Sequence, residues 1–138
     1  VVVVGAGLAG WRFVEILRQL GYEGAVTLIG DEARAPYDRP PLSKQVLSGK
    51  WDLEKSTLAT PEKIERAKAT FLLGRRAVEL DAGAMSVRLD DDAVVAGTHV
   101  VLATGTRARS LSYDSSGPLM TLRTADDAAR LRQVAESL

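Results

Sequence analysis

Gly5-Ala6-Gly7-Leu8-Ala9-Gly10 follows directly on Val1–Val4 and directly precedes a stretch of helical periodicity, and this placement constrains the fold more than any other feature. The unbroken β-branched run Val1 to Val4 reads as a strand buried on both faces, as central strands of parallel sheets are. Phe13, Ile16, Leu17 and Leu20 then recur at helical spacing, with Arg12, Glu15, Arg18 and Gln19 between them. A strand that turns at once into a helix needs backbone unencumbered by Cβ atoms. Gly5 allows the tight turn, Gly7 lets a phosphate approach the main chain, and Gly10 lets helix and strand pack closely. The amino end of the helix presents free N–H groups and a partial positive charge. Gly21 can end the helix and Gly24 turn the chain into a second strand, Ala25 to Ile29, which completes a βαβ unit in about thirty residues.

A dinucleotide-binding βαβ unit wants an acid about twenty residues beyond its glycines, to accept hydrogen bonds from a ribose. Asp31 lies at the end of the second strand, with Glu32 as the neighbouring candidate. The glycine motif fits NAD and FAD alike. Beyond it, Asp31 to Lys50 is rich in proline and charge and reads as loop, with a short helix beginning near Pro40 and Pro41. Thr60 and Pro61 start another helix, the hydroxyl as cap and the proline at the first position, ending before Phe71. Three strand-like runs, Ala77 to Leu80, Met85 to Leu89 and Ala93 to Ala96, are separated by Asp-rich turns and predict a β-meander. Val100 to Ala103 returns to the parallel sheet and ends at Thr104-Gly105. Ligands of open parallel sheets bind outside the carboxyl ends of the strands, where the glycine loop, Asp31 and Thr104-Gly105 are therefore expected to meet. Thr124 caps a last helix with Asp126 and Asp127 in its first turn and Leu131, Val134 and Leu138 on its apolar face.

Composition removes several function classes. The chain has no cysteine, so a redox disulfide, a thiolate nucleophile and a cysteine-bound metal are excluded, and redox chemistry has to ride on a bound cofactor. His99 is the only histidine and flanks the strand at Val100, so no metal site is expected. Eighteen basic against eighteen acidic residues give no net charge and imply no nucleic-acid partner. The longest stretch without charged or polar side chains, Val1 to Trp11, is far short of the ~20 residues of a membrane-spanning helix. Without a positively charged leader the expected location is cytoplasmic. The 138 residues fit one domain of ordinary size, yet the chain does not begin with Met and its last helix meets no stop signal, so a piece of a longer protein is expected.

Pro36-Tyr37-Asp38-Arg39-Pro40-Pro41-Leu42-Ser43-Lys44 resembles the signature of the ferredoxin and rubredoxin reductases, FAD-dependent flavoproteins that oxidise pyridine nucleotides. The resemblance extends over the chain, through the glycine loop, Gly30-Asp31-Glu32, Val101-Leu102-Ala103-Thr104-Gly105, and Leu122-Arg123-Thr124 followed by Asp126-Asp127-Ala128. It implies an α/β, Rossmann-like FAD-binding fold with a parallel sheet, flanking helices and a β-meander, present as an incomplete domain. Residues 1–123 would form its first segment and 124–138 a helix leading toward an absent NAD(P)H-binding domain.

By the same resemblance Gly5, Gly7, Leu8, Ala9 and Gly10 lie near the FAD pyrophosphate, Asp31 and Glu32 at the adenosine ribose, and Val78 at the adenine end. Arg39, Pro40 and Lys44 approach the pyrophosphate and isoalloxazine, and Ala103, Thr104, Gly105 and Arg123 complete the contacts. Lys44 is the candidate for a catalytic part: two unit charges 4 Å apart interact by about 4 kcal/mol at an effective dielectric of 20, enough to move a flavin potential even when screened. The implied parent enzyme takes electrons from NAD(P)H and passes them through FAD to an iron-sulfur protein of ferredoxin or rubredoxin type. An NAD-binding dehydrogenase and a non-catalytic dinucleotide-binding module are the rival readings.

Overall fold

Val2–Val4, strand β1, is buried along its whole length because strands flank both its edges and both its faces are covered. In the computed structural model, which describes residues 1–109 and 119–137, it pairs in parallel with β2 (Thr27–Gly30) and β7 (Val100–Leu102). The register sets Val4 opposite both Ile29 and Leu102, so all three strands end at one edge. A fourth parallel strand, β3 (Thr70–Leu73), follows on the far side of β2, giving the order β3-β2-β1-β7. Helix α1 (Leu8–Gln19) crosses from β1 to β2, and its C-terminal glycine, Gly21, takes the left-handed φ of 84° that permits the stop.

Two compact units divide the described chain: Val1–Tyr37 with Leu58–Gly105, and Asp38–Thr57 with Thr106–Leu138. In the first, side-chain alternation sends the two faces of the parallel sheet into different cores. Val3 and Leu28 pack with Trp11, Val14 and Ala67 under the helices α1 and α2 (Pro61–Ala67). Val2, Val4 and Ile29 pack on the other face with Val87 and Leu89, from the antiparallel meander β4 (Ala77–Asp81), β5 (Ser86–Leu89) and β6 (Val94–Ala96). Trp11 is fully buried against Phe71, with ring centroids 6.0 Å apart. The Arg18 guanidinium donates to the carbonyls of Tyr22, Gly24, Ala67 and Lys68.

The second unit holds 3-10 turns at Pro40–Ser43 and Leu53–Ser56 and the helix α3 (Ala125–Glu136). Its α3 begins with a full capping box: the Thr124 hydroxyl accepts from the Asp127 N–H, and the Asp127 carboxylate accepts from the Thr124 N–H at 2.8 Å. Burial pushes the Asp127 pKa up, and the N–H groups of Thr124 and Arg123, the Thr124 hydroxyl and Arg130 outweigh it, holding the carboxyl below the usual range. The apolar face of α3 is shallower than its sequence pattern predicts. Ala125 and Ala128 are buried and Val134 is exposed, while Leu138 lies outside the described residues.

Two local expectations are corrected. Strand β3 follows α2 after only Lys68 and Ala69, where the sequence pattern predicts no element. Thr60 is the N-cap residue of α2, but its side chain makes no capping bond to the backbone. Its hydroxyl bonds the Glu62 carboxyl instead and, with the Glu62 N–H and the nearby Arg66, lowers the pKa of that group.

Candidate functional site

The carboxyl edge of the parallel sheet is built from backbone in contact with backbone. Gly5 has φ 115°, and a Cβ there would lie 2.1 Å from the Ala103 carbonyl oxygen and 3.0 Å from the Thr104 nitrogen. Its N–H donates to the Ile29 carbonyl, while the Ala103 N–H donates to the Val4 carbonyl. A Cβ on Gly10 would lie 1.9 Å from the Gly5 carbonyl oxygen and 3.3 Å from the Val3 side chain, so α1 and β1 approach as closely as main chains can. Gly30 meets Ala6 in the same way, its Cβ position being 2.5 Å from that of Ala6. The glycine loop, the Gly30-Asp31-Glu32 segment and Ala103-Thr104-Gly105 are thus gathered at one edge, as the motif spacing predicts.

Gly7 differs from these. It is the N-cap of α1, and nothing lies within 4 Å of where its Cβ would be. No side chain caps α1 and its first turn has no acidic residue. The N–H groups of Leu8, Ala9 and Gly10, lacking intrahelical acceptors, face an approach that glycine keeps open. A pyrophosphate fits this cradle, in which fixed N–H dipoles meet negative charge with no competing carboxylate in the turn.

The two candidate acids are differently held. Glu32 accepts a 2.6 Å hydrogen bond from the hydroxyl of the buried Tyr37. Asp31 is half exposed, with Arg76 Nη2 3.7 Å from its Oδ2. Tyr37 stands inside the proline-rich signature, whereas nothing in motif spacing points to Arg76. Val78 lies on β4, at the irregularity between Ala77 and Glu79, with its side chain half exposed. It belongs to the antiparallel sheet and not to the strand ends that carry the glycine loop.

Within the second unit, Arg39 Nη1 donates to the Arg123 carbonyl at 2.8 Å, joining two candidates 84 positions apart. The Arg123 side chain donates to the Thr106 carbonyl, and its N–H to Asp127 Oδ2. Pro40 opens the first 3-10 turn and Lys44 ends it, with an exposed side chain. Among the described residues no cluster of His, Asp and Glu could hold a metal ion, and no helix is long and apolar enough to cross a membrane.

An edge of this kind, with glycine loop, uncapped helix and acid at the second strand, defines a Rossmann-type dinucleotide-binding fold. The sequence matches the Pyridine nucleotide-disulphide oxidoreductase family over residues 1–137, and the chain belongs to that family. It is 40% identical over 129 residues to the ferredoxin reductase component of chlorobenzene dioxygenase from a Cupriavidus strain, covering 92% of this chain and 31% of that protein. It is 36% identical to putidaredoxin reductase of Pseudomonas putida, covering 96% of this chain and 33% of the other. A solved ferredoxin reductase from Rhodopseudomonas palustris superposes with a TM-score of 0.89 at 34% identity, over 99% of this chain and 34% of that one. The chain therefore spans about a third of the length of the relatives it matches.

Proposed function

We propose that this chain is the FAD-binding portion of a flavoprotein reductase that carries electrons from NAD(P)H through FAD to an iron-sulfur protein of ferredoxin or rubredoxin type. The observation that supports this most is the uncapped amino end of α1, open at Gly7, at the same sheet edge as Asp31. Relatives named as ferredoxin and putidaredoxin reductases support the electron-transfer assignment. FAD, when bound, supplies the step between two-electron and one-electron chemistry that protein side chains cannot perform. The chain's own residues bind and orient it. The N–H groups of Leu8, Ala9 and Gly10, reached past Gly5 and Gly7, hold the pyrophosphate, and Asp31 with Glu32 accepts the ribose hydroxyls.

Ala103, Thr104 and Gly105 bound the same edge, and Val78 contributes at the adenine end. Arg39, Pro40, Lys44 and Arg123 are assigned to the same cofactor on the resemblance of their motifs, with Lys44 as the cation acting on flavin potential. Residues 1–123 form the first segment of the FAD domain, and 124–138 lead toward a nicotinamide domain. A cytoplasmic location goes with this assignment.

Titration with FAD and, separately, NAD tests it, followed by flavin fluorescence and calorimetry. FAD binding that is lost in Gly7→Val is the expected result, because a branched side chain fills the cradle. Binding of NAD and not FAD would replace the reductase assignment with a dehydrogenase.

A further inference from the structure

The corner between β3 and β4 is fastened to the end of β2. Gly74 N–H donates to the Glu32 carbonyl and Arg75 N–H to the Gly30 carbonyl, so residues 74–76 wrap the Asp31 backbone from both sides. Arg76 is itself fixed in the main chain. Its N–H donates to Asp90 Oδ1 at 3.2 Å, and its carbonyl accepts from the Asp90 N–H at 2.9 Å. Arg75 adds an ion pair to Asp91 in the same turn of the meander. The corner brings the cation of Arg76 to Asp31, with Nη2 3.7 Å from Oδ2 and both side chains about half exposed.

A carboxylate that accepts ribose hydroxyls works beside the two negative charges of a pyrophosphate. Unbalanced, it would repel the ligand it orients.

We propose that Arg76 is a positioning residue of the adenosine end. It holds Asp31 by one oxygen, leaves the other for the ribose, and offsets the carboxylate charge that the dinucleotide phosphates would otherwise meet. This rests on the reading of Asp31 as ribose acceptor, and a double-mutant cycle in FAD affinity separates the two ideas.

Asp31→Asn is expected to weaken FAD binding about 10-fold or more, as loss of charged hydrogen bonds does. Arg76→Ala is expected to weaken it about 2- to 5-fold at low salt, the range of an exposed ion pair. That loss shrinks at high salt, where the pair is screened, and Arg76→Lys restores most of it. In the Asp31→Asn background, Arg76→Ala then changes affinity by less than about 1.5-fold, since its effect passes through Asp31. Arg76→Gln keeps the backbone bonds to Asp90 and should behave like the alanine variant, which separates charge from folding. Unchanged or tighter FAD binding in Arg76→Ala, or an equal loss in the Asp31→Asn background, would overturn the role of Arg76 alone. Wild-type affinity in Asp31→Asn would overturn the ribose assignment itself.

Discussion

The carboxyl edge of the parallel sheet and the turns of the β-meander solve the same problem, reversing the chain, with different materials. At the sheet edge Gly5, Gly10 and Gly30 sit where a Cβ would be 1.9 to 2.5 Å from another atom, so no side chain can enter without moving backbone. In the meander the left-handed positions are Met85, at φ 48°, and Asp92, at φ 65°, both with side chains. The meander is fastened from outside, its second turn by Arg75 to Asp91 and Arg88 to Asp92, and its first two strands by Arg88 to Glu79. Sequence is stringent where main chain touches main chain and permissive where exposed side chains do the joining.

Alanine at two glycines would break this comparison most decisively. Gly10→Ala forces the α1 backbone off the Gly5 carbonyl and is expected to cost roughly 3 kcal/mol or more, read as a drop in denaturation midpoint. Gly7→Ala, with open space around it, should cost only about 1 kcal/mol, the difference between glycine and alanine at an N-cap, while weakening FAD binding. Equal destabilisation by both would show that the edge is not packed as described.

Next in size, Met85→Gly should stabilise by about 1 kcal/mol by relieving the left-handed conformation, partly offset by added freedom of the unfolded chain. A lower melting temperature for this variant would mean that the Met85 side chain contributes packing that outweighs its backbone cost.

The smallest effect belongs to Arg88 and Glu79. Their 2.6 Å pair raises the Arg88 pKa, chiefly through the hydrogen bond to Glu79, yet both side chains face solvent. A double-mutant cycle should find a coupling at low salt that disappears in 1 M salt. A coupling that survives such screening would place the meander among the stringent regions.

The same contrast explains which parts of the fold could be read from sequence. The βαβ unit was legible because Gly5, Gly7 and Gly10 each answer a geometric requirement and because Val1–Val4 has no polar interruption. Strand β3 was not, since the residue that ends α2 is Lys68 in the left-handed conformation, where a glycine would have marked the stop. The meander was readable from its Asp-rich turns, although strand ends shifted by one residue. At the site, Asp31 and the glycines follow from spacing. Tyr37 on Glu32 is a contact within one loop whose partner the signature does not specify, whereas Arg76 on Asp31 and Arg39 on the Arg123 carbonyl depend on how distant segments come together, which no local pattern encodes.

Arg18 gives the sheet a second kind of asymmetry. Its four carbonyl acceptors lie just before β2, at Tyr22 and Gly24, and just before β3, at Ala67 and Lys68. One side chain thus moors two strands where they enter the sheet, at the margin opposite the glycine loop. The sheet resembles a hand held at the wrist, with the fastening at the strand beginnings, so that the strand tips can be given over to glycine.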